Sequence, residues 1–376
     1  MPELRIPATV VPDADVSASL EAGWTLPATW YSDPEILALE RERLFARAWQ
    51  YVGRAEAVSE PGSFLAGRVG HVPVVVVRGK DGALRGFVNV CRHRAHLVAD
   101  GEGCRSTLQC PYHAWTYDLD GTLLRAPRAE RQPDFDPAGF SLLPVSVETW
   151  GPLVFANPDP EAPPLSQHLD GIAEMVASSG VGFDELRFRH RVSWQLPVNW
   201  KNALENYLEC YHCAVAHPGL SKVVNVDADA YELIPRPLSS SQAGSVREGI
   251  REGKVSSSYV PADDVKAAQY HFLFPGTTIN IEPGRPNFGV DTWIPLSPGE
   301  TLGVTDYYFG PDVTDAEVDE LVAFSQQVGA EDDGLVRSVQ AGLDSGMVPQ
   351  GRLLLPSEQL IGHFQRFVFD AVTRPA

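Results

Sequence analysis

The chain is short of basic residues: among 376 residues, 30 Lys and Arg stand against 49 Asp and Glu, a formal net charge of −19. That balance argues against nucleic-acid binding through a basic surface. No stretch of ~18 apolar residues occurs, so no membrane-spanning helix is expected. Five cysteines in so long a chain do not make a disulfide framework. Only one Cys-x-x-Cys pair is present, Cys210 and Cys213, which excludes a zinc site built from two such pairs. We read these two thiols as small, partly buried helix residues. No Gly-x-Gly-x-x-Gly run is found, so the chain carries no dinucleotide fingerprint of its own. The opening Met1-Pro2-Glu3-Leu4-Arg5 lacks a basic segment followed by an apolar run, and a cytoplasmic protein is expected.

What is present fits a globular chain long enough for two domains. Residues 1–50 read as an irregular arm followed by a helix, which starts at Ser32-Asp33-Pro34 with a cap residue and proline in the first turn. From 51 to 157 short β-branched runs alternate with turns: Val72 to Arg78, a turn at Lys80-Asp81-Gly82, a return from Leu84, and a tight hairpin at Asp118-Leu119-Asp120-Gly121. The proline-rich stretch from Asn157 to Pro164 reads as a stiff linker. Residues 158–376 then form a second domain. Phe188, His190, Val192, Trp194 and Leu196 alternate as in a half-buried strand, and strand-like runs recur at 269–274, 277–282, 288–296 and 301–309. Residues 221–265, rich in serine, read as a mobile region over a site. Thr314-Asp315-Ala316-Glu317 is a capping box opening a helix. The pattern is α+β, an antiparallel sheet with helices on one side.

Two places concentrate metal-binding side chains. Cys91-Arg92-His93 is followed, after sixteen residues, by Cys110-Pro111-Tyr112-His113. Zinc accepts two cysteines and two histidines. These spacings differ from those of zinc fingers, however, and each loop brings one thiolate and one imidazole. That suits a two-iron cluster with thiolates on one iron and imidazoles on the other. The second place is Glu205-Asn206-Tyr207-Leu208-Glu209-Cys210-Tyr211-His212, continuing to His217-Pro218. On a continuous helix Glu205, Glu209 and His212 share one face. His217 lies ~140° round from His212, and Pro218 disfavours helical geometry at His217. A helix end or bulge there would swing the two imidazoles toward one point, a metal-ligand arrangement.

Cys91-Arg92-His93-Arg94 and Cys110-Pro111-Tyr112-His113-Ala114-Trp115 resemble the Rieske [2Fe–2S] motif. With Asn199-Trp200-Lys201 and the Glu205-to-Pro218 stretch, the chain from about 30 to 370 is similar to the α-subunit of Rieske non-haem iron oxygenases. Two departures show: alanine, Ala95 and Ala114, stands where the family usually has glycine. The resemblance implies an all-β Rieske domain holding a [2Fe–2S] cluster, then a helix-grip catalytic domain holding mononuclear Fe(II), usually in a homotrimer. It also implies that Glu209 bridges the mononuclear site to a cluster histidine of a neighbouring subunit. Electrons from NAD(P)H would then arrive from a separate reductase or ferredoxin. A non-catalytic Rieske electron carrier and a zinc-stabilised binding module are the rival classes.

Two histidines leave such an iron one carboxylate short of a 2-His-1-carboxylate triad. Among Glu331, Asp332 and Asp333, we place Asp332 at the centre of a helical stripe set by Leu335, Val336, Val339 and Leu343. The family pattern, an acid eight residues before Gln340, gives the same residue. The motifs look most like those of members acting on quaternary ammonium compounds, with aromatic-ring hydroxylation as the alternative. Tyr270, Phe272, Phe274 and Trp293 are candidates for an aromatic cage around such a cation.

Overall fold

The computed structural model describes residues 13–373, so the first residues of the expected arm lie outside the described part. The chain divides into two compact units: Phe45–His168, and a second formed by residues up to Leu44 together with those from Leu169 onward. The N-terminal helix therefore groups with the second unit. Among the described residues no helix is long and apolar enough to cross a membrane.

In the first unit a seven-stranded sheet runs, in spatial order, Gln50–Arg54, Leu153–Asn157, Pro144–Trp150, Leu84–Val88, Val72–Arg78, Ser63–Val69 and Glu102–Cys104. A smaller three-stranded sheet is made by Leu108–Gln109, Thr116–Tyr117 and Leu123–Arg125. The valine run 74–77 is wholly buried, because it lies between core clusters on both faces of its sheet. The hairpin expected at Asp118–Gly121 joins the last two strands of the small sheet.

The second unit is built on a seven-stranded antiparallel meander from Tyr231–Arg236 through Ser239–Ser245, Ala267–Leu273, Thr277–Ile281, Asn287–Ser297 and Glu300–Phe309. The earlier strand Arg187–Leu196 pairs with the last of these. The helices Trp200–Tyr207, Asp315–Asp344 and Gln359–Thr373 belong to the same unit. The long helix opens with the expected capping box, Thr314 and Glu317 satisfying each other's backbone N–H. Helix Pro34–Arg43 starts where expected, Asp33 accepting from the Glu35 N–H.

Two expectations are corrected here. Much of the serine-rich region is not a mobile cover: Ser239–Ser245 is an inner strand of the sheet, with Ser239, Ser240 and Ser241 buried. The serines hid the strand because polarity, not apolar alternation, fills those positions; the Ser241 hydroxyl meets Arg236 Nη1 at 2.7 Å and His271 Nδ1 at 2.8 Å. Nor does one helix run through the histidine stretch. Trp200–Tyr207 ends, a turn follows, and Cys213–Ala216 forms a separate short helix. The Glu209 carboxylate accepts from the backbone N–H groups of Tyr211 and His212, which opens a new turn instead of continuing the old helix. That turn brings the Cα atoms of Cys210 and Cys213 to 4.9 Å, and the two form a disulfide.

Candidate metal centres and their cavity

In the first unit the two Cys/His loops are built alike. Cys91 N–H donates to His96 O and Ala95 N–H to Cys91 O; Cys110 N–H donates to Trp115 O and Ala114 N–H to Cys110 O. Closing each turn needs a left-handed residue. Ala95 and Ala114 take it, with φ of 57° and 58°, a conformation costing a non-glycine residue about 1–2 kcal/mol. Cys91 and Cys110 are buried free thiols. His93 is exposed and His113 half-buried, their ring centroids 4.6 Å apart. Thiols inside and imidazoles toward solvent is the donor order a two-iron cluster of mixed ligation asks for. Burial, then the neighbouring His93 and Arg94, hold the His113 pKa down, which favours the neutral ligand form.

Sequence reasoning missed Tyr117 here. Its hydroxyl lies 3.3 Å from Cys91 Sγ and accepts from the Arg92 N–H at 3.0 Å. Its ring is fully buried, and nothing in the spacing of the Cys/His pairs points to it. A hydroxyl donated to a ligating sulfur stabilises its charge and tunes potential.

In the second unit His212, His217 and Asp332 converge. The two Nε2 atoms are 3.1 Å apart, and Asp332 Oδ1 lies 3.0 Å from His217 Nε2 and 3.4 Å from His212 Nε2. Three ligands at right angles around a metal with bonds of ~2.1 Å sit ~3.0 Å apart, so this triangle has the size of one octahedral face. The protonation pattern agrees. His212 Nδ1 meets Glu209 Oε1, and His217 Nδ1 meets Glu331 Oε2 at 2.8 Å. A carboxylate only accepts, so both Nδ1 atoms carry the protons and both Nε2 lone pairs face inward. Asp332 Oδ1 is buried with no hydrogen-bond donor. Three acceptors facing one point are mutually repulsive without a cation between them, and a dication fits. Burial lowers the His212 pKa, but the Asp332 and Glu209 carboxylates outweigh it and raise it: a site with these acids draws positive charge, which a bound cation supplies in place of a proton on Nε2.

Asp332 faces inward as expected, but the stripe carrying it differs. Val336 and Gln340 are buried below it, while Leu335 and Val339 are 40% and 51% exposed. Gln340 explains the register: its Oε1 accepts from the Asn199 N–H at 2.8 Å, and Asn199 caps the helix Trp200–Tyr207. Glu205 is no ligand. Its Oε1 accepts from Tyr31 at 2.6 Å and Gln365 at 2.9 Å. Asp333 pairs with Arg337 at 2.7 Å.

A cavity of about 550 Å³ opens beside the triad, floored by the sheet. Tyr270 and Trp293 line it. Phe272 and Phe274 do not: both pack on Phe364 of the C-terminal helix, with centroids 5.6 Å away in each case. They share the strand face of Tyr270, and only the helix laid across its far end assigns them to the core. Trp194 and Trp293 flank Gly303 across neighbouring strands. A Cβ at Gly303 would come within 2.4 Å of the Trp194 ring, so this glycine admits the ring.

Comparison with known proteins finds relatives for both units. Residues 48–138 match the Rieske [2Fe-2S] domain, and residues 183–374 match the ring hydroxylating alpha subunit (catalytic domain). The chain is 32% identical to the carnitine monooxygenase oxygenase subunit of Acinetobacter baumannii, over 94% of this chain and 96% of that one. It is 30% identical to the chloroplastic choline monooxygenase of Beta vulgaris, over 97% and 80%. The solved structure of a quaternary ammonium Rieske monooxygenase superposes with a TM-score of 0.84 at 30% identity, covering 96% of this chain and 98% of the other.

Proposed function

The chain belongs to the Rieske non-haem iron oxygenases as a ring-hydroxylating-type α subunit, and from that premise we propose that it hydroxylates or oxidatively demethylates a small quaternary ammonium compound. The enzyme is an oxygenase with two cofactors, a Rieske [2Fe–2S] cluster and Fe(II). In our reading Cys91, Cys110, His93 and His113 hold the cluster, and His212, His217 and Asp332 hold the iron. The observation that carries the second assignment is the 3.0–3.4 Å triangle of inward-facing acceptors. A non-catalytic electron carrier needs no such triad.

When bound, the cluster supplies electrons singly and the iron supplies the binding site for dioxygen. The chain's own residues do the rest. Glu209 and Glu331 hold the two imidazoles in the tautomer that presents Nε2. Asp332 offers one oxygen and leaves the opposite side open to the cavity. Tyr270 and Trp293 offer ring faces to a cation. The net reaction consumes O2, two electrons and two protons per oxygen atom inserted, the second oxygen leaving as water. The electrons come from NAD(P)H through a separate reductase, consistent with the missing dinucleotide fingerprint. We further propose a homotrimer in which Glu209, whose two oxygens already hold the turn at Tyr211 and the His212 ring, also reaches a cluster histidine of the neighbouring subunit.

Reductase-coupled oxygen uptake over quaternary ammonium and aromatic compounds tests the reading. Uptake and product formation with choline-, betaine- or carnitine-type compounds are expected. Stoichiometric turnover of naphthalene or indole, with none of the ammonium compounds consumed, would overturn it.

A further inference from the structure

The floor of the cavity is laid out by strand register. Gln242, Tyr270, Asn280, Gly289 and Tyr307 are successive cross-strand partners, so their side chains share one face. One step along the same face, Thr278, Asp291 and Thr305 form a second row. Glu282 follows directly after strand Thr277–Ile281, and its carboxylate accepts from Tyr270 Oη at 2.9 Å. Gly244 pairs with both Tyr231 and Ala268. These two small residues leave room for the Tyr231 ring.

The walls are rich in acceptors and poor in cations. Five carboxylates line the cavity, Glu209, Glu282, Asp291, Asp332 and Asp333, against one guanidinium, Arg337. Asp332 and Glu209 belong to the metal site, and Asp333 is paired with Arg337. Glu282 and Asp291 remain. They are 7% and 6% exposed, and neither has an ion-pair partner among the described residues. Asp291 is held by neutral donors alone: Thr278 Oγ1 and Asn280 Nδ2, each at 2.7 Å, and the Thr305 hydroxyl. Burial pushes the Glu282 carboxyl up to about 7 and raises that of Asp291.

An independent observation points the same way. Gln242 is 2% exposed and lines the cavity. Its Nε2 donates to Tyr207 O at 2.6 Å, which fixes the amide orientation, and its Oε1 is buried with no donor. A buried acceptor left unpaired is costly, and a bound molecule that supplies positive charge or a hydroxyl removes that cost.

We propose that Glu282 is the counter-ion of the substrate, and that the cavity takes an ammonium compound without a carboxylate, its head group held against Glu282, Gln242 Oε1 and the rings of Tyr231 and Tyr270. This rests on the quaternary ammonium reading above and narrows it to cationic amino alcohols over zwitterionic betaines. A substrate carboxylate in this cavity would face like charges and acceptor oxygens, with the one guanidinium already paired. Removing unlike partners by repulsion is as effective for specificity as attracting the right one.

The test compares choline, glycine betaine, carnitine and 3,3-dimethylbutan-1-ol, the uncharged isostere of choline, on the reductase-coupled holoenzyme. The wild type is expected to favour choline over the isostere and over both zwitterions in kcat/KM. Glu282→Gln keeps the size and the Tyr270 contact but removes the charge. It should lower the choline-to-isostere ratio by about tenfold to a hundredfold, mainly through KM, while Glu282→Asp retains the preference. A second readout needs no turnover: quenching of tryptophan fluorescence by tetramethylammonium in the resting holoenzyme, with Kd raised by a similar factor in Glu282→Gln. An unchanged ratio and Kd in Glu282→Gln would overturn the assignment of Glu282. A wild type that consumes carnitine or glycine betaine as efficiently as choline would overturn the exclusion of carboxylates while leaving the quaternary ammonium reading intact. Consumption of no ammonium compound at all would defeat that reading itself.

Discussion

Lys201→Met is the most demanding test of how the iron-site scaffold is held. Lys201 and Glu40 are both fully buried, with Nζ to Oε1 at 2.6 Å. Glu40 Oε2 accepts from Trp200 Nε1 at 2.8 Å, and Lys201 Nζ lies 5.2 Å from the Tyr31 ring centroid. The pair ties helix Pro34–Arg43 to the first turn of Trp200–Tyr207, the helix that leads into the ligand turn. Methionine keeps the stem length and deletes the charge, which leaves a buried carboxylate with one indole donor. Breaking a buried pair from one side costs about 3–5 kcal/mol. At ~2–4 °C per kcal/mol for a unit of this size, the catalytic unit should melt roughly 6–20 °C lower. Adding Glu40→Gln removes the stranded charge and should return most of the loss, giving a coupling energy of about 2–3 kcal/mol in the double-mutant cycle. Scanning calorimetry on the four proteins, with iron content and the cluster spectrum followed in parallel, makes the measurement. The single variant should lose iron before it loses its cluster. The reasoning is refuted if Lys201→Met melts within experimental error of the wild type, or if the double variant is as unstable as the single one.

Asp332→Ala should abolish iron binding and turnover and keep the cluster spectrum, whereas Asp333→Ala, which breaks an exposed pair with Arg337, should cost under ~1 kcal/mol and keep the iron; metal analysis of the two decides. Cys110→Ser should erase the Rieske EPR signal and leave folded a second unit that can still load iron, an outcome that a persisting signal contradicts. Glu209→Gln should keep both metals yet slow the oxygen-dependent oxidation of the reduced cluster in single turnover, because an amide offers an acceptor at only one end; a wild-type rate would leave Glu209 as a turn-capping residue alone. For Glu282, whose carboxyl is raised from 4.5 to about 7 by burial, the unfolded chain loses the proton between these values while the folded chain keeps it. Stability therefore falls as pH rises through that window, by up to about 3 kcal/mol above pH 7. Glu282→Gln should equal the wild type near pH 4 and melt higher at pH 8, and parallel melting curves across pH 4–8 would count against a buried, uncompensated carboxyl.

The chemistry of this protein is carried by local motifs, and those were legible without coordinates. Cys91, His93, Cys110 and His113, which we propose as the cluster ligands, stand out by type and spacing, because a cluster dictates its donors and tight loops dictate their separation. The strand Arg187–Leu196 was equally legible, its alternation being a local consequence of one buried face, whereas Tyr231–Arg236 and Ser239–Ser245 read as a mobile region. The alanines at 95 and 114 were conspicuous for the reason the structure displays, a left-handed turn in each loop. Whether an acid lies eight residues from Gln340 can also be counted, although the stripe offered to support Asp332 was partly mistaken: Leu335 and Val339 face outward.

What the tertiary structure alone decided is which residues meet across the fold. Periodicity places Tyr270, Phe272 and Phe274 on one strand face, but only the crossing of helix Gln359–Thr373 separates a cavity wall from core. A helical reading of Glu205 through His212 is locally sound, yet Glu205 is claimed by Tyr31 and Gln365, and Glu209 by the turn it caps. Glu331, Tyr117 and Gln242 owe their roles to partners 114, 26 and 35 residues away in sequence. Hydrogen-bond satisfaction and charge compensation are properties of a surrounding volume, and a one-dimensional pattern holds no record of the side chains that the folded chain brings into it.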